Sequence, residues 1–328
     1  MIQSWSDRVA FFGTWVGFKL GCLLANIFPR AWLYRFTDIL ASLGFHLFRG
    51  FRTRSIRNLI AAGGETWNLG PVHEIIRKSL QNFFRDFVEI AYALVVSSER
   101  LRAEIPFVGR QHLDTALAKG NGVIALGAHL GNFFLVGTRL ATEGYGYATW
   151  VMINQPRDSR FAQLMDDYRI KVRQKTIHAR PRREALRQLG QVLGRNEIAV
   201  VIADEFRGNN GIHVPLFGRT VLARRGPATM ALRTGAAVVP VYLIRDKSCG
   251  LKMIVEPELD LIRTDRGRNA VRENTLRITR WLETTVRAYP EQWNWMNIHW
   301  QGDVDSDPVA KDQQVQTPNV LRTTKGDS

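Results

Sequence analysis

The chain has 328 residues, 45% of them hydrophobic, and sets 45 Lys and Arg against 30 Asp and Glu for a formal net charge of +15. That apolar content excludes a disordered protein and suffices for one large core, alone or with an appendage. The charge calls for an anionic partner, whether nucleic acid, an anionic membrane surface or an acidic protein, and two cysteines, Cys22 and Cys249, argue against a disulfide framework and for a reducing, cytoplasm-facing setting.

Residues Val9 to Phe28 form an apolar and aromatic run broken by Lys19 and several glycines and closed by Pro29 and Arg30. No clean small-residue cleavage site follows, so the run predicts a retained helix that spans the bilayer or lies in it. Trp5, Trp15, Trp32 and Tyr34 suit the interface, and the arginines from Arg30 to Arg57 suit a cytoplasmic flank. A buried core helix is the alternative. From Pro71 to Val96 the apolar positions recur at helical spacing, which predicts an amphipathic helix packed on the core.

The stretch from Gly122 to Phe134 predicts a buried strand that delivers His129 to its C-terminal end, among the small residues Gly127, Ala128 and Gly131. A helix is expected to start within a residue or two of that histidine, with Asn132 as a cap. Beyond it, strands are expected over Ala148 to Ile153, Ile198 to Ala203, His213 to Phe217, Val238 to Ile244 and Lys252 to Val255. Helices are expected over Phe161 to Arg173, Arg182 to Leu193, Gly226 to Arg233 and Arg268 to Tyr289. The alternation predicts an α/β fold with a mainly parallel central sheet flanked by helices, and the polar stretch from 303 to 328 predicts a disordered tail. No Walker motif, dinucleotide fingerprint or metal-ligand cluster occurs, so neither a metal nor a nucleotide cofactor is expected.

Several blocks then occur in one order: His129-Leu-Gly-Asn132, Asp204 followed by His213-Val-Pro-Leu-Phe-Gly-Arg219, Arg225-Gly-Pro-Ala228, the stretch from Leu232 to Pro240, and Pro290-Glu-Gln-Trp-Asn-Trp295. Together they resemble the bacterial lipid A biosynthesis acyltransferases, the late lauroyl or myristoyl transferases of the lysophospholipid acyltransferase superfamily. The resemblance implies a glycerolphosphate-acyltransferase-like core at 61–302 behind a membrane-anchoring segment at 1–60, on the cytoplasmic face of a bacterial inner membrane. It also implies transfer of a fatty acyl chain from an acyl carrier protein or coenzyme A thioester, as co-substrate, to a hydroxyl of a lipid A precursor or related glycolipid. A lysophospholipid or aminolipid acceptor, or a catalytically inactive lipid-binding homologue, are the competing expectations. Nucleic acid is the least supported partner, because the basic residues accompany an apolar anchor and no nucleic-acid motif is found.

A hydroxyl is a poor nucleophile, and His129 is the candidate general base. In the family the histidine is followed, after four intervening residues, by Asp or Glu, and here that position holds Phe134. Phenylalanine cannot accept the Nδ1 proton, so another group is expected to orient the ring. Glu205, whose longer side chain can reach back, is the sharper candidate for the partner role; Asp204 matches an acidic family position, and Glu143, Asp158 or a backbone carbonyl are further candidates. The resemblance assigns Arg173, with Arg169 as a register alternative, and Arg219 to substrate phosphates, with Arg224 and Arg225 ahead of a helix N-terminus. Asn132 and the amides near Gly131 are expected to hold the oxyanion, whereas Trp293 and Trp295 are expected to pack the core.

Overall fold

The computed structural model describes residues 5–67, 70–143, 149–153, 159–171, 174–204, 206, 211–246, 250–264 and 267–301. The N-terminal part is helical: α1 (Trp5–Ile27), α2 (Arg30–Leu47), α3 (Arg49–Ala61), α4 (Val72–Val95) and α5 (Ser98–Glu104). Then come β1 (Phe107–Val108), α6 (Arg110–Leu117), β2 (Val123–Gly127), α7 (Val136–Ala141), β3 (Thr149–Ile153), α8 (Ser159–Lys171) and β4 (Lys175–His178). The chain continues through α9 (Arg182–Gly194), β5 (Ile198–Ile202), β6 (Gly211–Leu216), β7 (Arg219–Arg224), α10 (Gly226–Thr234), β8 (Ala237–Arg245), β9 (Leu251–Val255) and α11 (Arg268–Ala288). A C-terminal strap with two short 3-10 turns, Pro290–Gln292 and Trp295–Asn297, ends the described chain.

Seven strands make one sheet in the order β1-β9-β8-β2-β5-β3-β4, parallel throughout except for the β8–β9 pair, while β6 and β7 form a separate antiparallel hairpin. The mainly parallel α/β sheet is as expected. Strand β2 is buried over its whole length, the mark of a central parallel strand covered on both faces. Its side chains alternate: Val123 and Ala125 join the core shared with α4, α5, α6 and α7, and Ile124 and Leu126 the core shared with α9, α10 and α11. A third core lies at the carboxyl ends of β2 and β5, where Phe45 of α2, Leu59 of α3, the β6–β7 hairpin and the strap tryptophans meet.

Helices α1 and α2 pack on α4. On α2 the polar side chains Tyr34, Asp38 and Ser42 face α4, whereas Trp32, Phe36, Ile39, Leu43 and Leu47 form an exposed apolar stripe at helical spacing. Tyr34 is therefore not an interfacial residue; its hydroxyl donates to Glu89 of α4. Among the described residues no helix is long and apolar enough to cross a membrane.

One local expectation fails. The helix after His129 does not start beside it: a 3-10 turn at Phe133–Leu135 comes first, and α7 begins only at Val136. Residues 130 to 132 instead lie against β8 and the strap, through bridges of Leu130 to Trp293 and of Gly131 to Leu243. Gly131 has φ +54°, and a Cβ there would stand 1.8 Å from the Leu243 carbonyl oxygen, so only glycine permits the crossing.

Candidate active site

Strands β2 and β5 are in parallel register with Gly127 opposite Ile202. Two residues beyond each lie His129 and Asp204, which the register thus brings to the same level at the carboxyl end of the sheet, where open α/β folds hold their ligands. Asp204, 2% exposed, accepts three N–H groups. Its Oδ1 lies 2.7 Å from His129 Nδ1, and its Oδ2 accepts from the His129 backbone N–H and from the Trp293 indole N–H, both at 2.8 Å. Burial opposes the charge on Asp204, but the His129 ring and these donors outweigh it and hold the carboxyl below the usual carboxylate range. An ionised Asp204 makes Nδ1 the protonated nitrogen of a neutral His129 and leaves the lone pair on Nε2.

His129 lines a cavity of about 840 Å³. The wall nearest the ring is apolar: Phe133 stands edge-on to His129 at 4.6 Å between centroids, Phe134 stacks on Phe133 at 4.0 Å, and Phe87 of α4 follows at 6.1 Å. Ile90, Leu135, Val151, Met165 and Leu186 extend this lining. Tyr168 adds a phenol that burial pushes up to about 12, so it stays protonated. Basic side chains also line it, Arg169, Arg180, Arg182, Arg224 and Arg225, together with the N-terminal residues Gly226 and Pro227 of α10. Burial holds the Arg169 guanidinium below its ordinary value, only partly opposed by its partner Asp166 at 2.8 Å. Among the described residues no cluster of His, Cys, Asp or Glu is arranged to hold a metal ion.

The expected site residues thus separate. His129 and Asp204 come together. Phe134 is a 42% exposed ring on the cavity wall. Glu143 is occupied by Arg139 and Arg110 and does not reach the histidine. Glu205, Asp158 and Arg173 lie outside the described residues, and Arg169 lines the cavity. Arg219 does not line it: its guanidinium lies 5.2 Å from the Trp300 ring, at the opposite end of β7 from Arg224, which does.

Asn132 and Gly131 differ most from expectation. Asn132 is fully buried and turned away from the cavity, its side-chain amide donating to Glu89 at 2.8 Å; it stands at the N-cap of the 3-10 turn, but its side chain makes no capping bond there. Its backbone N–H donates to Leu243 and that of Gly131 to Gln292, so the crossing that needs Gly131 also consumes the amides expected to hold an oxyanion. Two features went unforeseen: the indole of Trp293 on Asp204, and a buried ionic group in which Arg245 pairs with Asp86 and Glu89 beneath Asn132. Trp293 sits in the Pro290–Trp295 block, which was the only signal available for it.

The family model of the bacterial lipid A biosynthesis acyltransferases matches residues 3–302. The phosphatidylinositol mannoside acyltransferase of Mycolicibacterium smegmatis is 27% identical over 241 residues, covering 73% of this chain and 76% of its own. That of Mycobacterium tuberculosis is 25% identical over 238 residues, 71% and 72% of the two chains. The lipid A biosynthesis acyltransferase of Haemophilus influenzae is 24% identical over 297 residues, 89% of each. With the match running from the first helix to the end of the strap, the chain belongs to the bacterial lipid A biosynthesis acyltransferase family and is an acyltransferase.

Proposed function

We propose that the chain transfers a fatty acyl group from a thioester of acyl carrier protein or coenzyme A to a hydroxyl of a phosphorylated glycolipid, a lipid A precursor or a related molecule, with His129 as general base. The observation that carries this reading is the buried Asp204 carboxylate on His129 Nδ1, with the ring on the wall of the cavity. Nε2 takes the proton of the acceptor hydroxyl as its oxygen attacks the thioester carbonyl carbon; the C–S bond then breaks, and the imidazolium returns the proton to the departing thiolate. Asp204 stabilises the imidazolium formed in between and does not itself take the proton.

A cavity lined by both apolar and basic side chains suits the two substrates. An acyl chain fits the phenylalanine wall, and phosphate oxygens suit the arginines, whose planar guanidinium groups, with the N-terminus of α10, favour anions. The relatives' names include two glycolipid classes, phosphatidylinositol mannoside and lipid A, and both would present a polar head beside apolar chains. The exposed stripe on α2 is the surface by which the protein would lie in the cytoplasmic leaflet of the inner membrane, apolar side chains in the acyl boundary and the net positive charge toward anionic headgroups.

Transfer of a labelled acyl chain in detergent, from each donor to a lipid A precursor, a phosphatidylinositol mannoside, a lysophospholipid and an aminolipid, tests the reading. Turnover with a glycolipid acceptor that disappears in His129→Ala is the expected outcome. Turnover confined to the lysophospholipid or aminolipid would replace the acceptor class, and full activity in His129→Ala would remove the base.

A further inference from the structure

We propose that Trp293 is a positioning residue for the transfer, fixing through its indole N–H the carboxylate that in turn fixes the base. The proposal rests on the assignment of His129 as base.

Trp293 is attached to both members of the pair. Its backbone bridges Leu130: the Gly131 N–H donates to the Gln292 carbonyl at 2.8 Å and the Asn294 N–H to the His129 carbonyl at 3.1 Å. Its own carbonyl accepts the Ser79 hydroxyl of α4 at 2.8 Å, so the strap is tied to a long helix as well as to the catalytic loop. The side chain then turns to the other strand and donates to Asp204 Oδ2 at 2.8 Å. Packing alone does not account for this residue. Its ring lies among Trp295, at 4.8 Å, and Phe217, at 6.2 Å, contacts that any bicyclic ring of that size would keep. The nitrogen is the one polar atom of the side chain, and it is spent on the catalytic carboxylate.

Two donors on Oδ2 leave Asp204 one orientation, with Oδ1 aimed at His129 Nδ1. Without the indole N–H, Oδ2 keeps only the His129 backbone donor. The carboxylate can then rotate, and one group opposing the cost of its buried charge is lost. The expected defect lies in the tautomer and aim of the imidazole, not in substrate binding.

Replacing Trp293 by benzothienylalanine keeps the bicyclic ring and exchanges the N–H for sulfur; Trp293→Phe removes the N–H together with part of the buried ring, and Trp295→Phe is the control, since that indole donates to the Pro290 carbonyl instead. In both Trp293 variants kcat should fall about ten- to a hundredfold with each KM held within about twofold, the rate equivalent of one hydrogen bond to a charged group. Nitrogen NMR of the labelled histidine rings, with His129 assigned by its loss in His129→Ala, should show a fixed Nδ1–H tautomer in the wild type and a mixture in the sulfur variant. An unchanged His129 ring spectrum would overturn the proposal whether or not His129 is the base. So would a kcat within about twofold of wild type in the sulfur variant, far short of what one such bond is worth.

Discussion

Asp204 and Asp86 are both buried acids, placed at the two ends of the loop from His129 to Asn132, and their proton affinities move in opposite directions. Burial pushes both up. At Asp204 three N–H groups, one of them the imidazole's, more than offset it, and the carboxyl falls below its ordinary range. At Asp86 the Arg245 guanidinium is shared with Glu89, whose own charge opposes a second one, and the carboxyl stays well above the ordinary range. Burial depth therefore does not decide whether a carboxylate is charged; the neighbouring charges and the donors that face it do. One site holds a charge beside the proposed base, and the other is a scaffold joining α2, α4, β8 and the loop through Tyr34, Glu89, Arg245 and Asn132.

The sharpest break of this comparison is Asp204→Asn, which keeps the shape and removes the charge. The amide can present its N–H to the ring and favour the wrong tautomer, so kcat should fall about a thousandfold or more, read by single-turnover acyl transfer. On the scaffold side Arg245→Met should leave the fold rather than the chemistry impaired. Stripping the cation from Asp86 and Glu89 is expected to cost about 3–5 kcal/mol in chemical denaturation. Asp86→Asn should be milder and should show its effect in pH dependence. A folded-state pKa raised above the unfolded value gives stability that is present below the unfolded pKa and lost as pH rises through the folded one. Asp204, lowered, does the reverse: its contribution is present above the unfolded pKa and lost as pH falls through the folded one. The denaturation midpoint of Asp86→Asn relative to wild type should thus rise as pH goes from acid to neutral.

How far the site was legible follows from what periodicity encodes. Apolar runs that end in His129 and in Asp204-Glu205 announce buried strands with ionisable ends, and parallel neighbours two residues past a paired position bring those ends together. Past a strand's end the alternation stops, so the choice between Asp204 and Glu205 was not readable. Nor could spacing separate Arg219 from Arg224, which the β6–β7 hairpin sends to opposite ends of one strand. Asn132 and Gly131 were misjudged because their partners, Glu89, Leu243 and Gln292, come from three distant segments. The outward-facing stripe of α2 has the spacing of a core helix, and only the neighbouring α4 shows that the polar side faces inward.

The smallest expected effect is at Phe134, and it tests whether two positions can share one role. If the place five residues after the histidine were an equivalent seat for its partner, Phe134→Glu should rescue Asp204→Asn. The geometry speaks against rescue: residue 134 lies in the 3-10 turn, its ring against Phe133 and Phe87, while Nδ1 points to Asp204 beyond the buried end of β5. In the wild-type background Phe134→Glu should leave kcat nearly intact, because Asp204 still holds Nδ1, and should raise KM for the acyl donor by about tenfold, the scale set by small changes in an apolar substrate wall. Rescue of Asp204→Asn by Phe134→Glu would mean that the imidazole can turn to serve either carboxylate, and the orientation imposed by the buried end of the sheet would then be a preference and not a constraint.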